Sequence, residues 1–337
     1  MNNQSPLVSI LTPFKNTEYF LKDCINSIIN QTYTNWELII VDDFSTDNSY
    51  QLIEDFAKQD LRITLLKNTE SGIIGALQLA FKHSKGDYIT RMDSDDIMHA
   101  QKIETLTNNL IANKRQSVAV GLVKYFSNDH LGDGYKNYEI WLNKLTKDGD
   151  NFSEIYKECV IPSPCWMIHR NDLIACDAFN PNTYPEDYDL TFRLYEQGYT
   201  CIPCDKEIHY WRDYTTRSSR VQEHYNQNNF LDIKLHYFLK LDYNTSRPLV
   251  IWGAGFKGKT IAKTFIEKDI PFYWICNNPK KIGKKIYDQI LYDFSYLKEL
   301  KNAQSIISVA NKDAQVSIKN YMKELKLEPM KDYFFFC

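Results

Sequence analysis

Hydrophobic and polar positions along the first hundred residues switch between two periods. Short apolar runs of strand length occur at Leu7–Phe14, Trp36–Asp43, Ile63–Asn68 and Asp87–Asp93. Between them, apolar residues recur every three or four positions over Tyr19–Asn30, Asn48–Gln59 and Ile73–Ser84, the spacing of one buried helix face. Alternating strand and helix predict a parallel sheet with helices on its faces. In such sheets ligands bind beyond the carboxyl ends of the strands. Three of the four strands bring polar residues to that edge: Thr12 and Asn16, then Asp42 and Asp43, then Asp93 and Asp95.

From about Ser117 to Arg220 the pattern is less regular. Strands are expected at Val118–Phe126, Cys165–His169 and Tyr199–Asp205, and a helix over Glu186–Gln197 that ends at Gly198. A polar helical stretch, Gln222–Leu241, reads as a connector. After Arg247-Pro248 the alternation restarts, with strands at Leu249–Trp252, Phe272–Cys276, Ser305–Val309 and Tyr333–Phe336 and helices between. The expected organisation is a domain over residues 1–220, a helical connector over 221–246 and a smaller α/β domain over 247–337.

At 337 residues, 43% hydrophobic and 25% charged, the chain can bury two cores, and disorder is not the default. A net charge of −3 gives no bulk attraction to nucleic acid. The polar start MNNQSPLVS has no signal-peptide core, and no apolar run approaches the roughly 20 residues of a membrane span. The expected location is the cytoplasm, with peripheral contact at the inner face of the membrane left open. Of eight scattered cysteines, only Cys201 and Cys204 are close in sequence, and they fall in an expected strand, so they read as buried thiols.

The candidate chemistry begins with "RMDSDDI". Asp93-Ser94-Asp95 follows a strand and puts carboxylates in a loop at the binding edge. Bunched carboxylates repel, a cost tolerated when a cation joins them or water screens them. Their oxygens suit Mg²⁺ or Mn²⁺, which also bind substrate phosphates. The competing reading is a solvated acidic turn capping the next helix. In "WELIIVDDFSTDNS" a buried strand delivers Asp42 and Asp43 to the same edge, where Asp43 could accept a hydrogen bond from a nucleobase N–H or cap the next helix. In "YPEDYDLTFRLYEQG", Glu186 and Asp187 open a helix, whose N-terminus favours the carboxylate anion. Asp187 is thus either a general base or a helix-end charge.

Together the segments "VSILTPFKN", "VDDFSTDNS", "SGIIGALQLA", "MDSDD" and "PEDYDLTFRL" resemble, in order and spacing, the motifs of the family-2 glycosyltransferases, over roughly the first 220 residues. The resemblance implies a GT-A type nucleotide-sugar-binding sheet and a single inverting displacement. It implies that Asp43 contacts the base of a nucleoside-diphosphate sugar, a UDP-sugar above all, with Thr12 and Gly72 completing the donor contacts. Asp93 would contact the ribose or the metal, Asp95 would ligate Mn²⁺ or Mg²⁺, and Asp187 would take the proton of the acceptor hydroxyl. The acceptor implied is a glycan or a lipid-linked glycan of a bacterial surface polysaccharide.

Two segments depart from the family pattern. Gln78 stands where an asparagine is common, and Tyr214 in "HYWRDYTTRSSR" takes the place of a histidine, which leaves a third metal ligand unassigned. Arg212, Arg217 and Arg220 of that segment could hold a diphosphate or lie on an exposed loop. His169 and His209, near expected strands, read as packed or hydrogen-bonded side chains. Trp141, Trp166 and Trp211 read as core.

In the second domain "VIWGAGFKGKTIAKTF" places Gly253, Gly255 and Gly258 in a GxGxxG between strand and helix, the context of a dinucleotide-binding turn. The next strand ends in Asn277-Asn278 rather than in an acid for a ribose. The expectation is a Rossmann-like domain that binds no NAD, or that binds some other nucleotide-like ligand. An NAD-dependent sugar oxidoreductase and a non-catalytic sugar-nucleotide-binding module are the alternatives.

Overall fold

A computed structural model of the chain describes residues 5–127, 131–215, 217 and 230–337. Arg220 and the first part of the expected connector lie outside the described residues. The chain divides into two compact units, one formed by residues 1–152 and 160–217, the other by 153–159 and 218–337.

The first unit opens with β1 (Val8–Phe14), α1 (Glu18–Ile29), β2 (Trp36–Asp42), α2 (Ser49–Gln59), β3 (Ile63–Lys67), α3 (Ile73–His83) and β4 (Tyr88–Arg91), matching the periodicity closely. Every residue of β1 is buried, which explains its unbroken run where an exposed strand would alternate. Helix α1 buries Leu21, Cys24, Ile25 and Ile28, one face at helical spacing. There follow β5 (Ile97–Met98), α4 (Lys102–Ala112), β6 (Ser117–Val120), β7 (Leu122–Phe126), α5 (Asp133–Asp148), β8 (Trp166–His169), α6 (Arg170–Ala175), α7 (Glu186–Glu196), β9 (Thr200–Ile202) and β10 (Glu207–Arg212). The large sheet has the order β3-β2-β1-β4-β8-β6-β9, with β3, β2, β1 and β4 parallel and β8 antiparallel to β4. A second, three-stranded sheet has the order β5-β10-β7.

The single strand expected over Val118–Phe126 is in fact two strands of different sheets. The break falls at Gly121, where a Cβ would lie 2.2 Å from the Ile208 side chain, so only glycine lets the chain turn from one sheet to the other against β10. The strand expected over Tyr199–Asp205 is confined to β9, and α4 and α5 complete the irregular middle.

The second unit contains α8 (Leu231–Tyr237), which continues as a wider π turn over Phe238–Asp242, then β11 (Leu249–Trp252), α9 (Phe256–Glu267), β12 (Tyr273–Cys276), β13 (Lys285–Ile286), β14 (Gln289–Asp293), β15 (Gln304–Ile307), α10 (Lys312–Glu324) and β16 (Tyr333–Phe335). Its sheet has the order β13-β14-β12-β11-β15-β16 and is parallel except for the β13–β14 hairpin. That is a doubly wound sheet whose order reverses between β11 and β15. Segment 153–159 belongs to this unit through Tyr156, whose ring stacks on Phe336 at 5.3 Å and whose hydroxyl donates to Asp242 Oδ2 at 2.5 Å. Among the described residues no helix is long and apolar enough to cross a membrane.

Candidate active site

Strand register brings the candidate residues to one edge. Thr12 pairs with Ile40 and Leu11 with Arg91, so the carboxyl ends of β1, β2 and β4 lie side by side. Just past β2, Asp43 is buried, and its Oδ1 accepts from Asn68 Nδ2 and from the Gly72 N–H, both at 2.8 Å. Lys15 Nζ stands 3.9 Å from the other oxygen. Two donors therefore fix the carboxylate through Oδ1. Gly72 can donate because it adopts φ +122°, a conformation other residues rarely take. The Thr12 hydroxyl, at the same edge, is buried and has no partner among the described residues.

Strand β4 ends in Arg91, which is buried. Its Nε donates to Asp93 Oδ1 at 2.9 Å and its Nη1 to Glu186 Oε1 at 2.8 Å. Asp93 and Glu186 are thereby joined, and Asp187 is the next residue on α7. Asp187 is half-buried and holds the backbone N–H of Tyr188 on Oδ1 at 2.8 Å. Burial, and then the charge of Glu186, push its pKa up to about 7, while Arg91 pulls it back.

Asp95 is half-buried, and its Oδ2 accepts from the Tyr214 hydroxyl at 2.9 Å. Burial and the adjacent Asp96 push its pKa up to about 7. Asp96, the third carboxylate of the run, turns inward and is fully buried. Its Oδ1 accepts from the Arg212 N–H at 2.7 Å, and its Oδ2 pairs with His209 Nε2 at 2.9 Å. His209 Nδ1 lies 3.1 Å from the buried Lys102 Nζ, which also donates to the Pro164 carbonyl. An ammonium only donates, so Nδ1 accepts and Nε2 carries the proton. Burial, reinforced by Lys102, keeps this imidazole neutral by lowering its pKa. The three carboxylates thus tolerate one another because their environments differ: Arg91 holds Asp93, Tyr214 holds Asp95, and His209 with Arg212 holds Asp96.

Asp93 and Asp95 each keep one carboxylate oxygen without a partner among the described residues. Among the described residues no group of three or more His, Cys, Asp or Glu side chains forms a metal cage. Two hard oxygens fit Mg²⁺ or Mn²⁺, which complete their shells with water and substrate phosphate. Arg217 lies over the rings of Trp211 and Tyr125, at 5.2 and 5.9 Å. Burial works against its charge, but the neighbouring carboxylates, led by Asp96, more than reverse this. Arg212, by contrast, is occupied within the fold: Nε donates to the Asp95 carbonyl at 2.7 Å, Nη2 reaches Asp23 at 3.1 Å, and Phe20 and Phe126 flank its guanidinium. Gln78 donates to the Phe179 carbonyl at 2.9 Å and so serves the fold.

The sequence reading passed over Arg91, Asp96 and Lys102. An arginine inside a buried strand, two residues before a carboxylate, was the available signal for Arg91. Nothing local marks Lys102, whose partner His209 is 107 residues away. His209 is the hydrogen-bonded side chain expected. Trp211 packs in the core, stacked on Tyr125 at 4.9 Å. Cys201 and Cys204 are buried thiols.

In the second unit the glycine turn has structural duties. Gly253 adopts φ +122°, and a Cβ on Gly258 would lie 2.1 Å from the Gly253 carbonyl oxygen. Asn277, at the position of a ribose-binding acid, accepts from the Trp252 indole N–H at 2.6 Å. Lys281 Nζ donates to the Ala254 carbonyl at 2.7 Å.

Known proteins match this architecture. The family model described as glycosyl transferase family 2 matches residues 9–176. The β-1,3-glucosyltransferase WfgD of Escherichia coli is 36% identical over 210 residues, which cover 59% of this chain and 74% of that protein. Glycosyltransferase GlyG of Streptococcus pneumoniae is 37% identical over 135 residues, covering 40% of this chain and 44% of GlyG. The first four curated relatives are matched over 32% to 51% of their own lengths. Among solved structures, Staphylococcus aureus TarS 1–349 in complex with UDP-GlcNAc superposes with a TM-score of 0.55 at 17% identity, covering 77% of this chain and 71% of that one. The mannosyltransferase PcManGT of Pyrobaculum calidifontis gives 0.51 at 18% identity, covering 71% and 64%. These two establish a shared GT-A fold. With a sheet edge carrying the motif carboxylates and a 36% identical relative covered over 74% of its length, the chain belongs to the family-2 glycosyltransferases.

Proposed function

We propose that the first unit transfers a sugar, with inversion, from a UDP-sugar to a hydroxyl of a lipid-linked glycan during synthesis of a bacterial surface polysaccharide, at the inner face of the membrane. The observation that carries the reading is the position of Asp43, Asp93 and Asp95 past the carboxyl ends of the parallel strands, with Arg91 joining Asp93 to Glu186, the neighbour of Asp187. The relatives' names support the donor and acceptor classes. WfgD is named for UDP-Glc and a diphosphoundecaprenol acceptor, and one TarS structure holds UDP-GlcNAc.

In this reading Asp43 presents a fixed acceptor oxygen to an N–H of the uracil, with Thr12 and Gly72 shaping that end of the site. Asp93 and Asp95 hold a divalent cation, Mn²⁺ or Mg²⁺, which supplies Lewis-acid stabilisation to the leaving diphosphate. Arg217, aimed from the aromatic pair Tyr125 and Trp211, adds a positive charge on that side. Arg212 contributes by buttressing the Asp95 backbone. Asp187 takes the proton of the acceptor hydroxyl as it attacks the anomeric carbon from the opposite face. For the second unit, the engagement of Asn277 by Trp252 favours a ligand or partner other than NAD.

The test is a screen of nucleotide sugars for Mn²⁺-dependent thermal stabilisation, followed by transfer to an undecaprenyl-diphosphate-linked sugar. A ligand that binds only the native state raises its melting temperature. Stabilisation by a UDP-sugar, lost on chelation, with a β-linked product is expected. A protein stabilised by no nucleotide sugar but by NADH would instead be an oxidoreductase.

A further inference from the structure

We infer that Arg91 is a positioning residue that ties the donor-side loop to the helix carrying the proton acceptor, fixing the two halves of the reaction in one frame. The inference rests on the reading of Asp187 as the base.

Arg91 is the last residue of β4, a strand held on one side by β1 and on the other by β8. Its backbone is paired to Leu11 of β1, directly after three residues flanked on both sides, and its side chain is only 7% exposed. From that fixed root the guanidinium sends Nε to Asp93 and Nη1 to Glu186, at 2.9 and 2.8 Å. These carboxylates come from elements that share no strand pairing: a loop beyond the sheet and the first turn of α7. Helix α7 has no side-chain cap at Pro185, so its start relies on other anchors. Glu186, in that first turn, is bound to a cation rooted outside α7, whereas Asp189 pairs with Arg193 within the helix, and Asp187 follows Glu186 directly. A helix free to shift by about 1 Å at this end would carry Asp187 away from the attacking hydroxyl, an error that costs on the order of 10²-fold in rate. A planar guanidinium can hold two carboxylates at fixed angles through different N–H groups, and an ammonium cannot reproduce that geometry. The arrangement therefore calls for arginine in particular.

Arg91→Lys and Glu186→Ala test this with two readouts. The first needs no substrate: backbone hydrogen exchange in the first turn of α7. Exchange at residues 187–190 is expected to accelerate at least tenfold in both variants, with the rest of the unit protected as in the wild type. The second readout separates binding from transfer. Glu186→Ala leaves the Arg91–Asp93 pair intact, so donor affinity is expected to stay within about threefold while single-turnover transfer falls by about 10²-fold. Unchanged exchange in α7 in either folded variant overturns the inference. So does a loss of donor affinity in Glu186→Ala as large as the loss of transfer. Should the wild type bind no sugar nucleotide, the proposed function fails, and the exchange experiment still decides the role of Arg91.

Discussion

The Tyr214 hydroxyl donates a hydrogen bond to Asp95 Oδ2 at 2.9 Å, from the position where a histidine stands in the family pattern. It stabilises the ionised form of a carboxylate whose pKa burial raises to about 7. Tyr214→Phe removes that stabilisation while keeping the ring against Phe20, at 4.6 Å. Mn²⁺-dependent donor affinity is expected to fall by about 3- to 10-fold at pH 7, the scale of a lost hydrogen bond to a charged group. The loss should shrink at pH 8.5, where Asp95 ionises without help. Titration calorimetry at the two pH values checks this, and an equal loss at both would refute it.

Asp95→Ala removes the carboxylate itself. Its side chain lies in a loop outside the core, so folding should survive and the melting temperature without ligand should change little. Stabilisation by Mn²⁺ with a UDP-sugar should vanish. Undiminished metal-dependent binding would exclude Asp95 from the metal site.

Asp187→Asn keeps size and hydrogen bonding but accepts no proton. Donor binding should persist and transfer should fall by roughly 10²–10⁴, the usual contribution of a general base. In the wild type, a base titrating at about 7 makes the rate rise tenfold per pH unit below that value and level off above it. The same raised pKa has a stability consequence. The folded state keeps a proton that the unfolded chain releases near pH 4, so the contribution of Asp187 to stability falls as pH rises from about 4 to about 7. Denaturant titrations across that range should show a shallower fall in Asp187→Asn.

Gly72→Ala probes the anchor of Asp43. A Cβ would meet no atom within 4 Å, so the cost comes from the φ of +122° alone. Forcing another residue to that value costs about 1–3 kcal/mol, or shifts the N–H away from Asp43. Weaker UDP binding with little change in the rate of bound donor is expected.

Lys102→Met breaks the buried chain from Pro164 through His209 to Asp96. Removing one partner of such a network typically costs about 3–5 kcal/mol. The drop should appear in the denaturant midpoint with or without ligand. A variant as stable as the wild type would mean that His209 and Asp96 need no ammonium behind them.

The periodicity of the chain determined the elements of the parallel half-sheet and the polar ends of its strands. Burial on both faces favours largely apolar runs such as Val8–Phe14, and the chain direction of each strand sends its last residues to one edge. Motif order then singled out Asp43, Asp93, Asp95 and Asp187. These are local properties, carried by residues a few positions apart. What the tertiary structure decided depends on partners far away in sequence. Arg91 finds Glu186 across 95 residues, and Asp96 finds His209 across 113. The same holds where Gly121 passes the chain from one sheet to another against Ile208, and where Tyr156 joins the second unit by stacking on Phe336. Hydrophobic spacing records which face of an element is buried, but it does not record which charged group will be waiting there. That pairing is set by the path of the whole chain. So the sequence named the carboxylates, and only the fold assigned each its cation or hydrogen-bond donor.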